Sequence, residues 1–353
     1  MAWCLALPVA SQAPAQIPAT PTKTPVAPTA AQVERVRAGI RLHDQGKFDE
    51  AIAIYEEVLK DSPDCLIALY EIANSYQGKK DYAKGLEYAM RGAEYDSPDL
   101  ASFYMLMASA HDDMGEPAKA IDIYKRGLAI KPTALLHFNL GLTLGRQNND
   151  EEAKSNLKQA VLLNPNHASS HAELGKLFMR RGNKAPGILA LTRFLILEPT
   201  SARTGEAYQA WLGILQQSAV RGADGNITVP ANWSADTSEG DFSPQYLALG
   251  IGRTGALLLP PGPTQAQLLV QLLDGWFQSF AGEAPSERTA FAWTYYAPYF
   301  IELQKRRYTE PFVYWVSQRT NLEGVREWIA DAANRQRGTE FIQWSQRYAW
   351  PKP

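Results

Sequence analysis

The first two hundred residues alternate amphipathic runs with short polar breaks, and one arrangement returns five times. The runs are GKFDEAIAIYEEVLKDSP, KKDYAKGLEYAMRGAEYDSP, GEPAKAIDIYKRGLAIKP, NNDEEAKSNLKQAVLLNP and GNKAPGILALTRFLILEP. Each places apolar residues three and four positions apart, the period of one helix face. Each ends on a proline, at Pro63, Pro98, Pro132, Pro165 and Pro199, giving a period of roughly 34 residues, long enough for two antiparallel helices. Such helices cross closely only where side chains are small. Two columns meet that need: Gly39, Ala73, Ala108, Gly141 and Gly175 in the first helices, Ala51, Gly85, Ala120, Ala153 and Gly187 in the second. Large residues such as Leu59, Leu128, Leu162 and Leu195 fall between units, and Gly46, Gly115 and Gly182 stand where the chain must reverse.

These runs resemble tetratricopeptide repeats over residues 32–201. The resemblance implies an all-α superhelix of about five repeats whose concave face, lined by first helices, commonly holds an extended peptide or a partner helix. Its groove positions are Tyr70 and Asn74 in repeat two, Met105, Ser109 and Asp112 in repeat three, Phe138 and Leu142 in repeat four, and Lys176 and Arg180 in repeat five. That surface is apolar with a basic end, suited to a peptide with aromatic or aliphatic anchors and an acidic group. Relatives that clamp chaperone C-termini use Lys, Asn and Arg at positions held here by Val36, Ile40, Ser102 and Leu106, so that clamp is absent. A repeat stack needs its open apolar end covered. Residues 202–220, with Ala207, Trp211, Leu212 and Leu215 on one face, fit a capping helix.

Residues 221–240 are polar, contain glycine and lack periodicity, as an inter-domain linker would. Residues 241–353 read as a smaller all-helical domain. Helix starts are expected at Ser243-Pro244, Pro263-Thr264, Ser286 and Thr309, and breaks at PPGP, GEAPS, Asn321 and RQRG. RRYTEPFVYWV echoes the start of a repeat's second helix, with Pro311 where alanine is expected, and the last stretch looks like the C-terminal region of some bacterial repeat proteins. Aromatics crowd this region. Phe291, Tyr295, Tyr299 and Leu303 recur at helical spacing and so belong to core, whereas Trp293 and Trp315 serve the alternative reading, a carbohydrate or cell-wall binder. GIGRTG, residues 250–255, spells a dinucleotide fingerprint, but a Ser-Pro helix start precedes it where a strand is required. Leu247, Ile251 and Leu258 follow helical spacing, so its glycines are expected to serve close helix packing.

Composition narrows the functions. Lys and Arg total 35 against 37 Asp and Glu, without the basic excess of nucleic-acid binders. No histidine or cysteine follows His171, so the C-terminal region alone lacks Ser-His-Asp, Cys-His or His-metal chemistry. His167 and His171 stand four apart, but His167 falls in a turn and no acidic third ligand accompanies them. Enzymatic activity, a cofactor and a metal are therefore not expected. The first residues, MAWCLALPVASQAPA, resemble a secretory signal, with Ser11 and Ala13 at cleavage spacing, followed by a Pro/Ala/Thr-rich linker to residue 31. No Lys or Arg precedes the apolar run, which suggests a truncated start and leaves a disordered apolar tail as the other reading. The expectation is a secreted or periplasmic adaptor, alternatively cytoplasmic, binding a protein or peptide.

Overall fold

The computed structural model describes residues 21–230, 238–260, 262–282 and 289–352. The apolar N-terminal run, with Cys4, and the expected helix start at Ser286 lie outside the described residues. The fold is all-α, and it divides into two compact units, residues 1–132 and 133–353.

The first unit holds three helical hairpins: α1 (Ala30–Asp44) with α2 (Phe48–Asp61), α3 (Leu66–Gly78) with α4 (Tyr82–Ala93), and α5 (Leu100–Asp113) with α6 (Pro117–Ile130). Helix α1 opens on a capping box, Thr29 and Gln32 each bonding the other's backbone N–H. The small-residue columns mark the crossings. A Cβ on Gly39 would lie 2.3 Å from the Tyr55 ring, and Ala51, Ala73, Ala108 and Ala120 are fully buried. Part of the expected N-terminal linker is held in place: Thr22 and Lys23 donate to the Glu94 carbonyl, and Asp96 donates back to Lys23.

The second unit opens with α7 (Ala134–Arg146), α8 (Asp150–Leu163), α9 (Ala168–Arg180) and α10 (Lys184–Leu197) as two more hairpins. It continues through α11 (Thr204–Gln217), a two-stranded hairpin of β1 (Val220–Arg221) and β2 (Ile227–Thr228), α12 (Ser243–Leu258), α13 (Gln265–Gln278) and a π-helical turn, Ala292–Tyr296. It ends with α14 (Ala297–Lys305), α15 (Thr309–Val316), α16 (Val325–Ala330) and α17 (Ala332–Arg347).

One turn geometry closes all five hairpins. A left-handed residue follows the first helix, and the next N–H reaches back to a carbonyl five residues earlier, as Lys47 does to Leu42 and Asn183 to Phe178. Gly46, Gly115 and Gly182 fill the left-handed position, while Lys80 and Asn148 adopt it in the other two repeats. Arg307 repeats the turn between α14 and α15, with Tyr308 donating to Leu303. This alignment corrects the sequence register. Pro311 matches Pro186 of repeat five, and Phe312, fully buried, takes the small-residue position. A phenyl ring there keeps α14 and α15 from crossing as repeat helices do, and both pack on α13 instead.

Helix α10 organises the second unit. Every residue from Ala185 to Ile196 is buried, because KAPGILALTRFLIL has no polar face to leave in water. Helices α9, α11 and α15 and the π turn surround it. Trp211 of α11 donates its indole N–H to Thr192 at 2.9 Å, and Tyr208 bonds Ser317 at 2.9 Å. Thus α11 is covered on its outer side by later helices, and Leu212, expected in its core face, is only half-buried. The segment read as a linker separates no cores here: Tyr246 of α12 accepts the Ala185 N–H at 2.6 Å, and Glu239 is fully buried against α8. Residues 231–237 of that segment lie outside the described residues. The break expected at RQRG does not occur. Helix α17 runs through it, capped by Asp331, with Arg337 paired to Glu310 and Gly338 buried near the Trp328 ring.

The aromatics are largely core. Tyr295, Tyr296, Tyr299, Phe300 and Leu303 are buried, and Trp293 stacks on Phe242 at 4.6 Å. GIGRTG lies inside α12. Gly252 lets Leu272 of α13 approach, as expected of helix packing, but Gly250 makes room for Val229 and the Ser218 carbonyl, which are not helix partners. Leu247, Ile251 and Leu258 do share a helix face, and it points to solvent.

Candidate functional site

Two of the expected groove sets lie in the first unit. Tyr70 and Asn74 are half-buried on α3, and Met105, Ser109 and Asp112 half-buried on α5. The two helices are in contact, and the Gln77 amide donates to the Leu106 carbonyl at 2.6 Å. Tyr70 packs edge-on to Phe103 at 6.0 Å, and burial, with Glu71 and Asp99 nearby, raises its phenol pKa. These side chains are half packing, half surface.

The second unit does gather part of its set. Leu142 of α7 and Lys176 and Arg180 of α9 line one hollow of about 490 Å³. Phe138 stands one turn away on α7, its ring edge-on to His167 at 4.9 Å. Sequence reasoning missed the two other charged lining residues, Arg146 and Glu173. Helical spacing would have found them, Arg146 four positions after Leu142 and Glu173 three before Lys176. The glycines that let α7 approach α8 also shape the walls: a Cβ on Gly141 would meet Leu157 at 3.0 Å. Lys176 bonds Glu173 at 2.9 Å and Arg180 bonds Asp150 at 2.5 Å. Both cations are exposed, so these pairs are worth only about 0–1 kcal/mol and can exchange for a partner's carboxylate. Val36 and Leu106, two of the positions where relatives carry the chaperone clamp, are buried.

The histidine pair divides, with His167 outside the helix, as its place in a turn suggested. His167 caps α9 and bonds Ser170 at 2.6 Å, while His171 is fully buried, its Nδ1 2.7 Å from the Tyr296 hydroxyl and its Nε2 3.0 Å from the Pro165 carbonyl. A carbonyl can only accept, so Nε2 carries the proton and Nδ1 accepts from Tyr296. Burial, then the neighbouring Arg193 guanidinium, push the imidazole down to about 3.

That shift predicts acid sensitivity. Folded, the ring stays neutral to about pH 3; unfolded, it takes up a proton near 6.5. Its contribution is therefore complete above pH 6.5 and lost as pH falls toward 3, by about 2–3 kcal/mol at pH 4.5. Urea denaturation of the protein and of His171→Gln should show their stability difference shrinking by that amount between pH 7 and 4.5. A pH-independent difference would contradict the assignment.

Repeated helical hairpins, one shared turn and small residues at each crossing are the marks of a known repeat family. Tetratricopeptide-repeat family models match residues 42–110, 101–133 and 134–167. Residues 42–167 are tetratricopeptide repeats. Helices α9 and α10 add a further hairpin with the same turn beyond the matched residues, so the tetratricopeptide repeats supply both walls of the hollow. Among curated proteins none matches the chain. Three solved structures illustrate its likeness to known folds. The thermophilic TPR protein TTC0263 of Thermus thermophilus shares 21% identity, with 52% of this chain and 98% of that chain covered and a TM-score of 0.42. The type IV pilus biogenesis factor PilW shares 19%, with 54% and 93% covered and a TM-score of 0.43. YrrB, a TPR protein with an unusual peptide-binding site, shares 16%, with 51% and 91% covered and a TM-score of 0.37. No helix among the described residues is long and apolar enough to cross a membrane.

Proposed function

We propose that the protein is an interaction scaffold and that an acidic segment of a partner protein docks in the hollow between α7 and α9. The observation that carries this reading is the convergence of apolar Leu142 with the cations Arg146, Lys176 and Arg180 around about 490 Å³, a volume in the range of binding clefts. An aliphatic or aromatic anchor would rest on Leu142 and a carboxylate would exchange into the ion pairs of Lys176 and Arg180. The first-helix side of tetratricopeptide repeats is where the family commonly receives peptides. A secreted or periplasmic location is part of the proposal and rests on the N-terminal apolar run.

The double substitution Lys176→Glu/Arg180→Glu tests it. Both side chains are exposed, so melting should change little, while a partner captured from an envelope fraction by the parent protein should be retained at least about tenfold less. Equal retention would sink the reading.

A second reading, carbohydrate binding, is favoured by a different place than the sequence suggested. Trp293 is buried and Trp315 donates its indole N–H to the Ile196 carbonyl at 3.1 Å. Half-buried Trp344 and Tyr348 instead line an open groove of about 900 Å³ with Glu302, Glu340, Gln343 and Arg347. Quenching of tryptophan fluorescence by oligosaccharides, absent in Trp344→Ala, separates it from the first.

A further inference from the structure

The arginine of GIGRTG has a setting that neither proposed reading uses. Arg253 lies on the side of α12 that faces a narrow pocket of about 180 Å³, walled by leucines of α11 and α13 that include Leu215, Leu269 and Leu272. Two amides, Gln216 and Gln265, complete its polar lining. The Arg253 Nε is buried and has no hydrogen-bond partner. Burial alone lowers the basicity of this guanidinium, with no neighbouring carboxylate acting on it among the described residues. A guanidinium cannot escape by losing its proton, and a half-buried charge among leucines is costly unless an anion meets it.

Shape and charge thus ask for one kind of occupant, an anionic head at Arg253 with a short apolar body along the leucines. We propose that this pocket binds a free aliphatic monocarboxylate of medium chain length, its carboxylate held by Arg253 and the pocket amides. Only alkyl side chains line the pocket away from its polar end, and its volume is that of a chain of roughly six to eight carbons, smaller than the sites that hold drug-sized ligands. The arginine fork matches a carboxylate through two parallel N–H bonds.

Calorimetric titration of the full chain with octanoate tests this. Saturable one-to-one binding is expected, with octan-1-ol at least about tenfold weaker because it cannot meet the charge. Binding should also weaken as pH falls through the carboxylate range, about 4–5. Arg253→Leu should lose octanoate by at least about tenfold while melting no lower than the parent, since it removes an unpaired charge. Should that variant fail to fold, Leu269→Trp, which fills the pocket, decides the matter by losing binding with Arg253 intact. No saturable binding at millimolar octanoate, or undiminished binding in these variants, would overturn the proposal. Tighter binding of N-acetyl-leucine than of octanoate would overturn it in favour of a peptide terminus.

Discussion

Arg193→Ala should lower the stability of the second unit by about 3 kcal/mol, the combined effect of a truncated core side chain and lost charge-assisted bonds. Arg193 is fully buried in α10. Its guanidinium donates to Ser345 at 2.7 Å and Asn166 at 2.8 Å, and lies over the rings of Tyr299 and Trp350 at 5.3 and 4.9 Å. One side chain therefore ties repeat five to α17 and to the residues after it. Alanine would leave Asn166 short of a donor and open a cavity between two aromatic rings. Arg193→Met keeps the bulk and removes the buried charge, so it should recover part of the loss. Urea denaturation followed by tryptophan emission measures both. A loss under about 1 kcal/mol in Arg193→Ala would show that the aromatic packing holds the C-terminal end without the guanidinium.

Glu239→Ala should cost a similar amount, about 3 kcal/mol, by leaving buried cations without their anion. Glu239 is fully buried, 2.6 Å from Lys158 Nζ and 3.7 Å from Lys154 Nζ, and the Lys154 side chain is only 7% exposed. Lys154 keeps Glu151 at 2.9 Å and Ser238 at 3.1 Å, so the larger loss falls on Lys158, which also sits over the Phe178 and Phe291 rings. The double variant Glu239→Ala/Lys158→Met should regain stability relative to Glu239→Ala, a coupling that a denaturant cycle reads directly. Additive losses would mean that Glu239 is held by packing alone.

Much of the repeat architecture was legible because its constraints are local. Helix period, a proline per unit and small residues at each crossing are all written within about 34 residues. Even the exceptions obey one geometry, with Lys80 and Asn148 taking the left-handed position where glycine is missing. The second half was legible as helices but not as an assembly. The uniform apolarity of KAPGILALTRFLIL was the available sign that α10 would be covered on all sides. The buried ties of Arg193 to Ser345, His171 to Tyr296 and Glu239 to Lys158 join residues 152, 125 and 81 positions apart, and no periodicity records such pairs. The RQRG break failed because this stretch of α17 is held from another helix, Arg337 pairing with Glu310 of α15. In the candidate site, carrying over groove positions named Leu142, Lys176 and Arg180, which line one hollow. It did not find Arg146 and Glu173, because the family pattern names positions on a face and not the charges that flank them.

The claim that a partner occupies the α7–α9 hollow is tested most directly by a photo-crosslinking residue in place of Leu142. In an envelope fraction, irradiation should yield one dominant adduct, lost when Lys176→Glu/Arg180→Glu is introduced and absent with the same probe at exposed Lys60. Adducts of equal yield from positions 142 and 60, unaffected by the charge reversal, would contradict it.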